Sequence, residues 1–322
     1  MNPKVIFDLS ILEKNIMTLK ENCKRINFLF PVKCCKNEKV LNIIKKYNFG
    51  YDISNLNEYK TIKKYLTKEF VSVSGPKSYE LDNVKYKNIH IIANNMSNYS
   101  LGKGIRVNLN NNKKFDTSRF GVDYTLLSEE FKSNITYVHF HNSDHKTKEL
   151  CDEIIKEVGK IVKSFKNLTM IDIGGHLEDL SFEDGIKYLK RIEKIIPDNI
   201  TIYAELGDFL FKNSGKLYGR VIDVRRDESI QYVTLNFSKM ANQRWAYPVY
   251  TDKSKNKIKT IFLGCSCCET DSYLETYSKE LSVGDEVVFT NISPYSYEWN
   301  TSFNGVSELE YIFSWNFKGT LL

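Results

Sequence analysis

The chain has 322 residues, 42% apolar and 27% charged, with a formal net charge of +6. The length suits a β/α barrel of about 250 residues with an appendage. No stretch approaches the roughly 20 apolar residues that a membrane-crossing helix needs. The positive charge is scattered among acids, and zinc-finger spacing and aromatic–basic RNA motifs are missing, so neither nucleic acid nor a membrane is expected as a partner.

The seven cysteines are odd in number and include the adjacent pairs Cys34-Cys35 and Cys267-Cys268, which suit no disulfide framework. They point to free thiols in a reducing compartment. Residues 1–7 lack the apolar run of a secretory leader, so a cytoplasmic protein is expected.

In chain order, Ser10 and Glu13 read as a capping box opening a helix whose apolar face is Leu12, Ile16, Leu19, Cys23 and Ile26. A strand over 27–32 ends at Lys33, and Val40, Leu41, Ile44 and Tyr47 line the next helix. A short strand ends near Asp52, and a helix spans 55–66. Further strands are predicted at 70–73, 89–93, 105–109, 135–141, 169–173 and 201–205. The helices after the third and fourth strands look stunted, and full helices return over 146–165 and 181–196. Eight short strands separated by helical patterns predict a parallel (β/α)8 TIM-like barrel over 9–215.

From about Lys216 the pattern changes. Segments 217–224, 229–235, 257–263, 285–291 and 308–313 read as strands joined by turns, with no long helix between them. They predict an antiparallel β domain over 216–322, joined by an N-terminal strand within 1–8. The lysine-rich stretch 253–259 reads as a hairpin tip and no more.

Catalytic groups of a β/α barrel lie at the C-terminal ends of its strands. Those ends carry Lys33, Asp52, Arg106, His141, Gly174-Gly175 and Glu205, a set with an amine, acids, an imidazole and a glycine turn. No member is specific alone.

Their order resembles that of a known family. Phe30-Pro31-Val32-Lys33, Gly50-Tyr51-Asp52-Ile53-Ser54 with Glu58, Ser118-Arg119-Phe120-Gly121, His139-Phe140-His141, Ile171-Asp172-Ile173-Gly174-Gly175 and Ala204-Glu205-Leu206-Gly207 are similar, in order, to motifs of the alanine-racemase-fold (fold-type III) pyridoxal-phosphate (PLP) decarboxylases. These are the ornithine, diaminopimelate and carboxynorspermidine decarboxylases. Gly264-Cys265-Ser266-Cys267 with Asp271, then Tyr295 and Phe303-Asn304-Gly305, resemble the motifs of their second domain. The chain departs from the pattern at His176, Leu206, Asp208 and Cys268, where members carry glycine, proline, arginine (in the ornithine enzymes) and an acid.

The resemblance implies roles. Lys33 forms a Schiff base with PLP, Glu205 protonates the pyridine nitrogen, and His141 stacks on the ring. Gly174, Gly175 and Tyr295 hold the phosphate, Arg106 buttresses Glu205, and Asp52 pairs with Arg119. Cys267 returns a proton to Cα, with Cys268 as its rival. Cys268, Asp271 and Arg244 are the substrate-side candidates, Arg244 as a planar grip on a carboxylate or phosphate.

The implied activity is decarboxylation of an amino acid or a carboxylated polyamine-like substrate, a small molecule, by a homodimer with shared active sites. His139-Phe140-His141-Asn142 and Asp208 lean toward the carboxynorspermidine branch. The alternatives are an amino-acid racemase on the same fold, a non-catalytic relative, and a metal-dependent hydrolase using His139, His141, Asp144 and His145. No metal is expected, because later strands lack the remaining ligands.

Overall fold

The computed structural model describes residues 2–100, 103–243, 245, 247–252 and 254–315. A first strand, β1 (Lys4–Asp8), leads into helix α1 (Leu9–Asn22). The helix starts two residues earlier than a Ser10 cap implies. Asp8 stands at the cap, its Oδ1 accepting from the Ser10 N–H at 2.9 Å.

Strands β2 (Ile26–Pro31), β3 (Gly50–Ile53), β4 (Val71–Val73), β5 (Ile89–Ala93) and β6 (Gly104–Asn108) follow. A two-residue extension, β7 (Val122–Asp123), pairs only with β6, and β8 (Tyr137–Phe140), β9 (Met170–Asp172) and β10 (Thr201–Glu205) complete the set. Without β7 these are eight parallel strands, ordered β5-β4-β3-β2-β10-β9-β8-β6 and closed by β5 on β6, which is the expected barrel.

Helices α2 (Glu38–Lys46), α3 (Leu56–Ile62), α4 (Glu129–Ser133), α5 (Lys148–Ser164) and α6 (Phe182–Ile195) surround it. Asn37, Asn55, Ser128, Thr147 and Ser181 cap their N-termini with side-chain oxygens, satisfying backbone donors that each helix start leaves open. After β4 and β5 only single 3-10 turns form, Ser78–Leu81 and Met96–Asn98, as the short intervals imply. Fully buried Phe30, Tyr51 and Phe140 lie on the barrel strands, and each contributes roughly 1.5–3 kcal/mol by leaving water.

The chain divides into two compact units, residues 16–210, and 1–15 with 211–322. In the second unit, β11 (Gly215–Asp227) pairs with β1, with β12 (Ile230–Leu235) and with β16 (Glu286–Thr290). Strands β13 (Val249–Tyr250), β14 (Ile258–Leu263), β15 (Ser272–Ser278) and β17 (Glu310–Ser314) extend the sheet. The sheet is mixed and mostly antiparallel, since β1 runs parallel to β17 and β12 parallel to β14.

Strand β15 is absent from the sequence prediction. Its two buried residues, Tyr273 and Ser278, are five apart and share no face of an alternating strand, and polar Glu275 and Thr276 lie between them, so no period-2 apolar run stands out. Phe237, Phe262, Tyr273 and Phe289 form the aromatic core, with Phe262 and Phe289 edge to face at 5.1 Å. Among the described residues no helix is long and apolar enough to cross a membrane.

Candidate active site

Strand β2 ends at Pro31 and the chain tightens into a 3-10 turn, Val32–Cys34, which buries Val32 and Cys34 and turns Lys33 outward. Strand β3 is the parallel neighbour, with Asp52 in register with Pro31. Lys33 Nζ lies 3.1 Å from Asp52 Oδ2, and Ser74 Oγ donates to the other oxygen at 3.1 Å.

Loss of solvent works to lower the Lys33 amine, but Asp52 first and Glu205 next outweigh it and hold the ammonium charged well above its ordinary range. Burial, with Glu205 nearby, pushes the Asp52 carboxyl up to about 7 against the pull of Lys33. Asp52 does not pair with Arg119, as the resemblance implied; the Arg119 guanidinium lies over the Phe120 ring at 4.1 Å.

Parallel register places Arg106, His139 and Asp172 at one level across β6, β8 and β9. His139 and Asp172 are fully buried and Glu205 nearly so. His139 Nε2 is 2.9 Å from Glu205 Oε1. His141, two residues on and so on the same face of the strand, holds its ring parallel to that of His139, with Nδ1 3.6 Å from Glu205 Oε2.

Burial alone raises the Glu205 carboxyl, but His139 first, then His141 and Lys33, carry it well below the ordinary range. Burial pushes His141 down to about 4, so its ring is neutral at ordinary pH. Burial first, then Glu205, raises the Asp172 carboxyl far above its ordinary range. Arg106 is not the direct buttress of Glu205 that the resemblance implied. Among the described residues it makes no ion pair within 4.0 Å, and its guanidinium lies 4.9 Å over Phe120. His139 takes that place.

The Gly174-Gly175 turn is demanded first by packing. Gly174 adopts φ +65°, and a Cβ on Gly175 would stand 1.9 Å from the Glu205 carbonyl oxygen. The Gly174 N–H donates to Asp172 Oδ1 at 2.9 Å and the Gly175 N–H to His141 Nδ1 at 3.3 Å, so any phosphate would compete with these bonds. His176, at the departed glycine position, keeps the left-handed conformation at φ +62° and pairs with Glu178 at 2.7 Å.

In the β unit, Cys267 is exposed and Cys268 half-buried. The Asn304 amide approaches both sulfurs, at 3.1 Å and 3.6 Å. Asp271 is buried and spends its carboxylate on its own loop: Oδ1 accepts from the Lys239 and Met240 N–H groups, and Oδ2 from the Ser266 N–H and hydroxyl. It shapes the cysteine loop. Tyr295 opens a short helix, α7 (Tyr295–Trp299), and packs its ring against Trp245 at 5.9 Å. Arg244 lies outside the described residues.

The barrel residues fit PLP at its reactive and ring ends. An amine at a strand end, a neutral imidazole ring and an ionised buried carboxylate with one oxygen engaged are the donor set that the cofactor needs. Sequence reasoning overlooked His139 as a partner of Glu205, although its two-residue spacing from His141 signals a shared face. It also overlooked Asn304 as a donor to Cys267; no local signal marks that contact across 37 residues.

Fold and distant sequence similarity point the same way: the chain resembles the alanine-racemase-fold PLP-dependent decarboxylases. Among particular proteins, it is 23% identical to the carboxynorspermidine/carboxyspermidine decarboxylase of Campylobacter jejuni, over 92% of this chain and 90% of that one. Its structure resembles the arginine decarboxylase of Paramecium bursaria Chlorella virus bound to agmatine, with a TM-score of 0.73 and 18% identity over 97% and 96% of the two chains. It also resembles the Campylobacter jejuni carboxynorspermidine decarboxylase complexed with norspermidine, with a TM-score of 0.71 and 19% identity over 97% and 94%. No family model matches the chain.

Proposed function

We propose that this protein is a PLP-dependent decarboxylase of an amino acid or, in preference, a carboxylated polyamine. The observation that carries the reading is Glu205, a buried carboxylate held ionised at the end of β10, with Oε1 on His139 and no ordinary hydrogen bond to Oε2 among the described residues.

When bound, the cofactor draws off the electron pair left on Cα as carbon dioxide departs. Lys33, ordered by its contact with Asp52, would anchor it covalently through its amine once the ammonium has lost its proton. Glu205 would keep the ring nitrogen protonated, and neutral His141 would cover the ring face. The Gly174-Gly175 turn and Tyr295 are the phosphate candidates, and Arg106 adds positive charge to the pocket. Cys267 returns a proton to Cα, and the Asn304 N–H steadies the sulfur as the proton leaves. Asp271 fixes the loop that presents Cys267.

A metal-dependent reading has one observation in its favour: ligand atoms of His139, Asp172 and Glu205 lie within 4.8 Å of one another. Against it, His139 Nε2 is already engaged by Glu205 at 2.9 Å, and the Asp172 oxygens accept from the Gly174 N–H and the Tyr137 hydroxyl. A racemase would share the barrel, but the relatives described above are decarboxylases.

The test is carbon dioxide release by the PLP-loaded protein from carboxynorspermidine, ornithine, lysine, arginine and diaminopimelate. Cys268 removes an expected acid, so a free terminal ammonium loses its partner and ornithine and lysine should react poorly. Release from no substrate sinks the reading; efficient turnover of ornithine sinks the substrate preference. The reading includes a two-fold dimer with shared sites, as the resemblance implies. Mixing Lys33→Ala with Cys267→Ala protein should then restore part of the activity, and mixed dimers that stay inactive exclude sharing.

A further inference from the structure

We infer that His139 is a positioning residue that holds one oxygen of Glu205 and thereby drives the shared proton onto the cofactor's ring nitrogen. The inference rests on the PLP reading above.

The geometry fixes the hydrogen-bond sense. His139 is 0% exposed, its Nε2 lies 2.9 Å from Glu205 Oε1, and its Nδ1 is buried with no partner. A neutral imidazole carries one N–H, and facing a carboxylate that proton sits on Nε2. A charged ring would put a second N–H at the orphaned Nδ1, which the interior penalises. His139 is therefore a neutral, fixed donor, and burial lowers its affinity for a further proton accordingly.

The other groups around Glu205 leave this task to His139. His141 Nδ1 accepts from the Gly175 N–H, so its lone pair is spent and it cannot donate to Oε2, 3.6 Å away. Arg106 lies over Phe120 without an ion pair to Glu205, and Lys33 is bonded to Asp52. Asp172, on the neighbouring strand, accepts from the Gly174 N–H at Oδ1 and from the Tyr137 hydroxyl at Oδ2.

A buried carboxylate and a pyridine nitrogen in contact share one proton, and the more basic group keeps it. Burial makes the carboxylate the stronger base, whereas a donated hydrogen bond makes it the weaker. Removing the His139 N–H therefore moves the proton from the ring toward Glu205 and weakens the electron sink.

The experiment compares wild type, His139→Gln and His139→Leu, each loaded with PLP carrying nitrogen-15 in its ring. The readouts are visible absorption of the Lys33-bound cofactor, the ring-nitrogen resonance, and kcat. Glutamine can offer an N–H where Nε2 stood; leucine cannot. We expect Lys33-bound cofactor in all three. In His139→Leu the resonance should move toward the unprotonated position and kcat should fall about 10- to 100-fold, the worth of one hydrogen bond to a charged group. Glutamine should restore the resonance and bring kcat to within about threefold.

A protonated-type resonance in His139→Leu, or equal losses in both variants, overturns the inference while Lys33 loading leaves the PLP reading standing. A wild type that never loads at Lys33 sinks both. Should His139→Leu fail to fold, imidazole nitrogen spectra of the cofactor-free wild type decide the matter. A neutral Nε2–H ring that does not titrate between about pH 5 and 8 supports it, and an Nδ1–H or titrating ring refutes it.

Discussion

Lys33 Nζ and Asp52 Oδ2 stand 3.1 Å apart at the ends of two adjacent parallel strands, a half-exposed cation on a carboxylate that is 1% exposed. A charged amine is not a nucleophile, so the contact that orders Lys33 also slows its attack on a carbonyl. Asp52 is the leading cause that raises the amine. In Asp52→Asn the amine should lose its proton at lower pH, and cofactor capture at about pH 8 should quicken by about tenfold for each unit by which the amine falls. Stopped-flow absorption checks this; an unchanged rate would show that Asp52 does not control the amine.

Glu205 meets its test through chemistry more than binding. Glu205→Gln keeps the shape and loses the charge. Cofactor attachment should persist while kcat falls by roughly 100-fold or more, comparable to the loss of a preorganised electrostatic contact. Parallel titration and turnover assays separate the two effects, and full activity in the variant removes Glu205 from the reaction.

Much of this was legible in the sequence, for a physical reason. A parallel barrel strand is a short apolar run that stops where the chain meets solvent, so the last residue of each run marks the rim. The predicted strands 89–93 and 201–205 coincide with β5 and β10, and Lys33, Asp52 and Glu205 fall at their expected strand ends. Partnerships between strands were not legible. Whether Asp52 meets Arg119 or Lys33, and whether Arg106 or His139 holds Glu205, depends on register and side-chain reach. The loop-shaping part of Asp271 was hidden for a related reason: spacing located it beside Cys267, but only the folded loop reveals four donors closing on its carboxylate.

Lys146 gives a pH-dependent stability prediction apart from the reaction. It is 4% exposed, and its ammonium donates to the Asn142 carbonyl and side-chain oxygens and the Asp144 carbonyl, pinning the loop after β8. Burial pushes it down to about 8 from an ordinary 10.5. Between those values the unfolded chain holds a proton that the folded protein has released. Unfolding then takes up a proton, and stability from this group rises with pH. The penalty is full below about pH 8 and is relieved toward 10.5. The slope reaches about 1.4 kcal/mol per pH unit. Denaturant melts of wild type and Lys146→Met across this window should differ by that slope, and parallel curves would contradict it.

The central claim is that Lys33 carries the cofactor. The most direct measurement is borohydride reduction of the PLP-loaded protein, followed by proteolysis and mass mapping of the labelled peptide. The account predicts one stoichiometric label on Lys33, and none in a folded Lys33→Ala protein. A label on another lysine, or no label after saturation with PLP, would contradict it.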